Sequence, residues 1–256
     1  VIVMIDGKTI AEQGRWPLQR ATFAQAVDNL RRVGAKVIAF DVLFTEPENP
    51  TTDDHLAFLR ARQQRLADHG MEDLISEAEA RERSGDQALA RAIRAAGNVI
   101  LPFAYTFKDR KPQATPPYVE RAAYVSMHAN GPPPPSPLKP TGILAPIPVL
   151  GEAAAGLGHA LVAFDVDGAP RYDYPVIDYD LDDYPSTPVK IVQTFLGLPW
   201  EAVEVKFGEG IAIGPVWMPT DPATRTLVDY RGPTRTFPPF PFSRLLANTI
   251  PAELLR

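Results

Sequence analysis

The chain has 256 residues, a formal net charge of −5, 45% hydrophobic and 22% charged side chains. Such a chain can bury a proper core, and α/β folds of this length are often single domains. The acidic balance, without any basic stripe, argues against a nucleic-acid surface; the absence of cysteine excludes disulfides, thiolate zinc sites and a cysteine nucleophile.

Val1 to Ile5 is a short, continuous apolar run rich in β-branched residues. It reads as a strand covered on both faces, as in a parallel sheet. The stretch GKTIAEQGRWP reads as a loop with one helical turn. From Gln19 to Val33 the pattern is helical, with Phe23, Val27 and Leu30 on one face. Gly34 is a suitable stop. Val37 to Phe40 is a second buried strand. A strand–helix–strand unit of this length is expected to be parallel and right-handed.

Glu46 to Thr52 is an acidic, proline-containing loop. Asp53 to Ala96 is dense in Ala, Glu, Arg and Leu. It reads as two helices broken near Ser84-Gly85-Asp86, the second from Gln87 to Ala96. Val99 to Phe103 is a third buried strand. Lys108 to Pro148 contains PPPPSPLKP and reads as a stiff excursion without helix or central strand. The chain carries 28 prolines, about twice the usual 5%, so its connections should be rigid.

Val149 to Ala155 suggests a short helix and Gly158 to Phe164 a strand. DVDG is a turn signal, after which Arg171 to Tyr179 is expected to pair back as a hairpin. Thr187-Pro188 opens a helix with Val189, Val192 and Phe195 on its apolar face. Short strands are expected at Val203–Phe207, Ile211–Ile213 and Thr226–Tyr230, then a last helix capped by Ser243. No run of eighteen apolar residues makes a membrane helix, and no signal peptide is visible. The first residue is not Met, so a piece of a longer protein is expected.

Two apolar runs end on carboxylates, VIVMID at Asp6 and VIAFD at Asp41. On neighbouring parallel strands both would lie at the carboxyl edge of the sheet, where open α/β folds place their ligand crevice. Two carboxylates there can hold a divalent cation, share general acid–base work, or merely cap helices and pair with Arg15 or Arg20. In GRWPLQR, Arg15, Trp16 and Arg20 can wall a small-molecule pocket or pack as an aromatic with two ion pairs. FDVDGAPR brings Asp165, Asp167 and Arg171 together; it starts like a calcium loop but lacks the later Glu, which favours a tight turn. His55, His69, His128 and His159 show no metal-ligand spacing. There is no nucleophile elbow and no phosphate loop, so nucleophilic catalysis has no support.

The order of GRWPLQR, GAKVIAFDVLFTEP, GNVILPF, GLGHALVAFDVDGAPRYDYPVI and YPSTPVKIVQTFLGL resembles the CHASE2 domain across essentially the whole chain. The resemblance implies an extracytoplasmic sensory module of bacterial receptors. Such modules are set between membrane helices and followed by a cytoplasmic adenylate or guanylate cyclase or a kinase. The family pattern continues with one more apolar strand, and this chain is expected to lack it. The expected protein is therefore a single α/β domain, 1–256, with a largely parallel central sheet flanked by helices, a proline-rich excursion and a β-hairpin region. Its expected role is to sense an unknown small molecule outside the cytoplasm, within a homodimer tethered to a membrane, with no nucleic-acid partner. Asp6, Arg15, Trp16, Arg20, Asp41, Asp165, Asp167 and Arg171 are the candidate ligand-binding residues, with no catalytic residue. No cofactor is expected beyond a divalent cation at Asp6 and Asp41, should one bind. The alternatives are a metal-dependent hydrolase using Asp6 and Asp41, and a ligand-free dimerisation module.

Overall fold

In the computed structural model the described residues are 1–48, 85–108, 114–124, 138–233 and 236–256. The chain starts with β1 (Val3–Met4), α1 (Gly7–Gln13) and α2 (Arg20–Val33), and reaches β2 (Ile38–Ala39). The segment GKTIAEQ is thus a full helix rather than one turn in a loop. Its signal was local: Asp6 caps it by accepting from the Thr9 amide at 2.8 Å, a standard N-terminal capping contact. Gly34 ends α2 at φ 80°, and its N–H donates to Leu30 and Arg31 carbonyls. A left-handed residue there suits glycine, which has no Cβ to clash.

Helix α3 spans 85–96, and β3 (Val99–Thr106) follows. Residues 49–84, which include most of the acidic stretch read as helical, lie outside the described residues. β3 is the centre of the sheet. Its first five residues are buried, as a strand covered on both faces must be. It pairs in parallel with β2 and with β5 (Gly156–His159). Its far end pairs antiparallel with β4 (Gly142–Leu144). Between these lie the short helices α4 (Pro117–Glu120) and α5 (Pro148–Gly151).

The proline-rich excursion therefore does contain a short helix, contrary to the expectation of none, while its strand β4 pairs among the described residues with β3 alone and so is not a central strand. Pro117 sits in the first turn of α4, where its missing N–H costs nothing. β4 occupies the proline-free interval between Pro140 and Pro146 at the end of β3. Residues 132–137 of PPPPSPLKP lie outside the described residues.

After β5 come β6 (Tyr172–Asp173), β7 (Val176–Tyr179) and β8 (Asp182–Pro185). The expected hairpin across DVDG is reduced to one bridge, Ala163 to Tyr172. The true hairpin joins β7 to β8. Its turn residues Asp180 and Leu181 both have positive φ, 54° and 73°, the twist that suits a two-residue hairpin. Helix α6 (Thr187–Phe195) then packs on β5 and β3. Gly158 permits that approach, since a Cβ there would stand 2.7 Å from the backbone of Thr187.

The antiparallel strands β9 (Val203–Lys206), β10 (Gly210–Ile213) and β11 (Val216–Pro219) form a separate sheet. Val203, Val205, Ile211 and Ile213 bury against Val189 of α6 as a second small core. β12 (Thr226–Leu227) pairs with β6. β13 (Phe240–Pro241) pairs in parallel with β1, and α7 (Phe242–Leu246) follows. Ser243 lies buried inside α7 rather than capping it. The architecture is a mixed α/β domain whose central sheet is mainly parallel. Among the described residues no helix is long and apolar enough to cross a membrane.

Candidate functional site

Helix α2 presents Phe23, Val27 and Leu30 on one face, and this face floors a groove of about 900 Å³. One wall is Ile2 to Ile5 around β1. The other is Ile38 to Leu43 around β2. Phe242 and Leu245 of α7 complete the floor. The carboxyl ends of the two strands lie at the same edge. Phe23, in the first turn of α2, stacks edge-on against Phe40 and Phe44 beyond β2, with centroids 5.9 and 5.4 Å away. The same ring lies 5.7 Å from Phe242, just beyond β13, the parallel partner of β1.

The lining is apolar apart from Asp41, its charged residue among those described. Asp41 is exposed just beyond β2. Trp16 reaches the same rim from the loop after α1. It is 47% exposed and sits edge-on to Phe23 at 6.5 Å. Arg15 is exposed beside it. So the structure brings Trp16 and Asp41 together at the carboxyl mouth of one groove. β1 and β2 are not paired with each other, as neighbouring strands would be.

Asp6, which follows Ile5 at that mouth, is already engaged. Its Oδ1 accepts from both the amide and the hydroxyl of Thr9, each at 2.8 Å. These bonds hold its carboxyl below the usual carboxylate range. Thr9 Oγ1 in turn accepts from the Ser243 amide at 3.2 Å, so the cap also ties α1 to α7.

Arg20 faces neither aspartate. It is buried, with Nε 3.0 Å from Asp86 Oδ1 and Nη2 donating to the Glu46 carbonyl at 2.9 Å. Its guanidinium lies 4.5 Å from the centre of the Phe44 ring. It clamps the turn after β2 to α3 instead of walling a pocket.

Asp165, Asp167 and Arg171 do meet, in an exposed turn outside the groove. Arg171 donates through Nη1 to Asp165 Oδ2 at 3.1 Å and to Asp167 Oδ1 at 2.6 Å. The Arg171 hydrogen bonds hold the Asp167 carboxyl well below its ordinary range. Gly168, at φ 81°, closes the turn.

A buried polar nest around β3, β5 and β8 was not singled out in the sequence. His159 is 1% exposed and its ring lies 5.6 Å from that of Tyr105. Burial pushes the His159 pKa down to about 3 and the Tyr105 pKa upward. Asp183 is pushed up to about 6 by burial, then by Asp178 and Asp182. Its Oδ1 has no hydrogen-bond partner among the described residues. A histidine inside the apolar strand GLGHAL and two aspartates before Tyr184 were the available signals.

The CHASE2 domain profile matches residues 1–256, the whole chain. The chain belongs to the CHASE2 domain family. No curated protein and no solved structure matches it. CHASE2 is a family of extracytoplasmic, non-catalytic sensory domains of receptors. In this CHASE2 domain no group of three or more His, Asp and Glu side chains able to hold a metal occurs among the described residues. The chemistry on offer at the groove is recognition: an aromatic face, one free carboxylate and apolar walls.

Proposed function

We propose that this CHASE2 domain is the extracytoplasmic ligand-sensing part of a transmembrane receptor. Its flanking membrane helices would control a cytoplasmic adenylate or guanylate cyclase, or a kinase, within a homodimer. The observation that carries the ligand reading is the carboxyl mouth of the groove, where Trp16 and Asp41 face one opening. This is the edge at which parallel α/β sheets bind ligands. A small molecule with a cationic or hydrogen-bond-donating group suits the pair, because a carboxylate and an indole face both attract positive charge. The ligand acts by favouring one of two conformations, and its differential affinity sets the size of the signal. Asp165, Asp167 and Arg171 contribute a rigid turn in this reading, and Arg15 the rim of the mouth.

The test is thermal unfolding of the domain against a panel of small amines, other metabolites and divalent cations. A ligand at about 100 times its Kd adds roughly 2.7 kcal/mol, several degrees of Tm at about 2–4 °C per kcal/mol. The expected result is a shift that Asp41→Asn and Trp16→Ala abolish. A shift that both variants keep would place sensing elsewhere. A shift with divalent cations alone would favour a metal site at Asp41 over an organic ligand.

A further inference from the structure

From Asp178 to Tyr184 the chain reads DYDLDDY, four aspartates without a lysine or arginine. The β7–β8 ladder sets Asp178 directly opposite Asp183. Opposed residues of an antiparallel pair hold their Cβ atoms about 4.5–5.5 Å apart on one face, and like charges there destabilise the pair. The two carboxyls differ in surroundings. Asp178 is exposed, whereas Asp183 is 6% exposed. Asp183 Oδ1 accepts no hydrogen bond among the described residues. A buried carboxylate needs a partner charge and hydrogen bonds; what stands opposite Asp183 is a second carboxyl.

The groups packed around Asp183 do not neutralise it. Burial, then Asp178 and Asp182, push its pKa up to about 6. On the outer edge of β8 the Tyr124 amide donates to the Asp183 carbonyl at 2.8 Å. The Tyr124 hydroxyl, its pKa raised by burial, donates to Gln193 Oε1 of α6 at 3.0 Å. Lys190 of α6 lies with Nζ 5.9 Å from the Tyr124 ring centre and donates to the same Gln193 oxygen at 3.1 Å. His159 of β5 is held neutral by burial, with a pKa of about 3. Tyr105 of β3 is held neutral by burial as well. Asp180 and Glu120 act on the neighbouring Tyr184.

β8 is also wired to the rest of the domain. It runs into Ser186, whose side chain caps α6 and whose amide donates to the Pro175 carbonyl at 2.8 Å. Ser186 Oγ donates to the Asp173 carboxyl at 3.1 Å, so that carboxyl, unlike Asp183 Oδ1, has a partner. Helix α6 packs on β5 and β3 and carries Val189 into the second core. At the other end of the hairpin Leu181 is 97% exposed. An ionised Asp183 therefore reaches water by lifting the hairpin tip, which breaks the Tyr124 bond and pulls on the cap of α6.

We propose that the domain senses protons at Asp183. With the carboxyl protonated the β7–β8 hairpin is closed on Tyr124; on ionisation it lifts and shifts α6. This goes beyond the ligand reading, since neither Asp178 nor Asp183 lines the groove.

The test is hydrogen exchange at the Tyr124 amide of the purified domain, read as a protection factor corrected for the intrinsic rate at each pH. Asp183 has a pKa of about 6 in the closed hairpin and about 3.9 when open to water. Linkage then gives a loss of protection of about tenfold from pH 5 to 7, in the direction of a raised pKa: closed below, open above. Asp183→Asn, a neutral side chain of nearly the same shape, should hold protection constant. Asp178→Asn, which removes the opposed charge, should shrink the loss. Asp41→Asn and Trp16→Ala should leave it as in the parent, so this proposal and the ligand reading fail separately. Constant protection in the parent overturns the proposal. So does a tenfold loss that persists in Asp183→Asn, which would assign the response to Asp173 or another group. A loss undiminished in Asp178→Asn overturns it equally.

Discussion

Removing the Asp86 carboxylate should be among the most damaging single changes in the domain. Asp86 and Arg20 side chains are 6% and 11% exposed, with Nε and Oδ1 3.0 Å apart. The other oxygen of Asp86 accepts from the Glu48 amide at 3.0 Å. Glu48 Oε1 accepts from the Arg20 amide at 2.6 Å. Asp86→Ala strands a guanidinium away from water and frees the Glu48 amide at once. Breaking a buried pair from one side costs about 3–5 kcal/mol. At about 2–4 °C per kcal/mol for a domain of this size, Tm should fall by roughly 6–20 °C. The assay is thermal and urea unfolding of the purified domain, with Arg20→Met/Asp86→Leu as the second arm. An apolar replacement of both partners leaves no buried charge, so the double variant should recover most of the loss. A loss below about 1 kcal/mol for Asp86→Ala, or a double variant whose loss is the sum of the singles, would refute the reasoning. It would also return Arg20 to the set of free binding residues.

Gly158→Ala should destabilise by about 1–3 kcal/mol, the usual penalty of overpacking, because the new methyl meets the Thr187 backbone at 2.7 Å; chemical denaturation measures it, and a neutral outcome would mean that α6 shifts freely on β5. The pH dependence between about 4 and 6 should be a difference of two opposed effects. Asp183, raised to about 6, contributes stability present below its unfolded pKa and lost as pH rises through 6. His159, lowered to about 3, contributes stability present above its unfolded pKa and lost as pH falls. Asp183→Asn should therefore make Tm climb more steeply from pH 4 to 6; an unchanged slope would show that Asp183 is solvated. Asp6→Ala should lower Tm by a few degrees through loss of the α1 cap, while Arg171→Gln, in an exposed ion cluster, should leave Tm within error.

The local elements were written in local chemistry. The buried run at Val99–Phe103 and the amphipathic face of Phe23, Val27 and Leu30 follow from periodicity, and Gly34 suits its left-handed conformation. Val1–Ile5 and Val37–Phe40, expected to be covered on both faces, are not: Val1, Ile2 and Met4 are 72%, 49% and 48% exposed, and Ile38 alone of the second run is buried. The reason is tertiary, since among the described residues the fold pairs β1 and β2 on one side each rather than with one another. The β7–β8 turn was hidden because Asp180 and Leu181 adopt positive φ without the glycine that usually announces it. The cap of α1 was hidden because Asp6 looks the same as a strand-end ligand and as a helix cap. Asp6 and Arg20 illustrate the wider division. Sequence alone set which residues carry charge and which runs are apolar and periodic, since helix or strand period belongs to single segments. Which charges meet was decided by tertiary structure: Arg20 found Asp86, 66 positions away, and Asp41 came to share a groove with Trp16. Long-range packing brings such partners together, and no spacing within either segment encodes it.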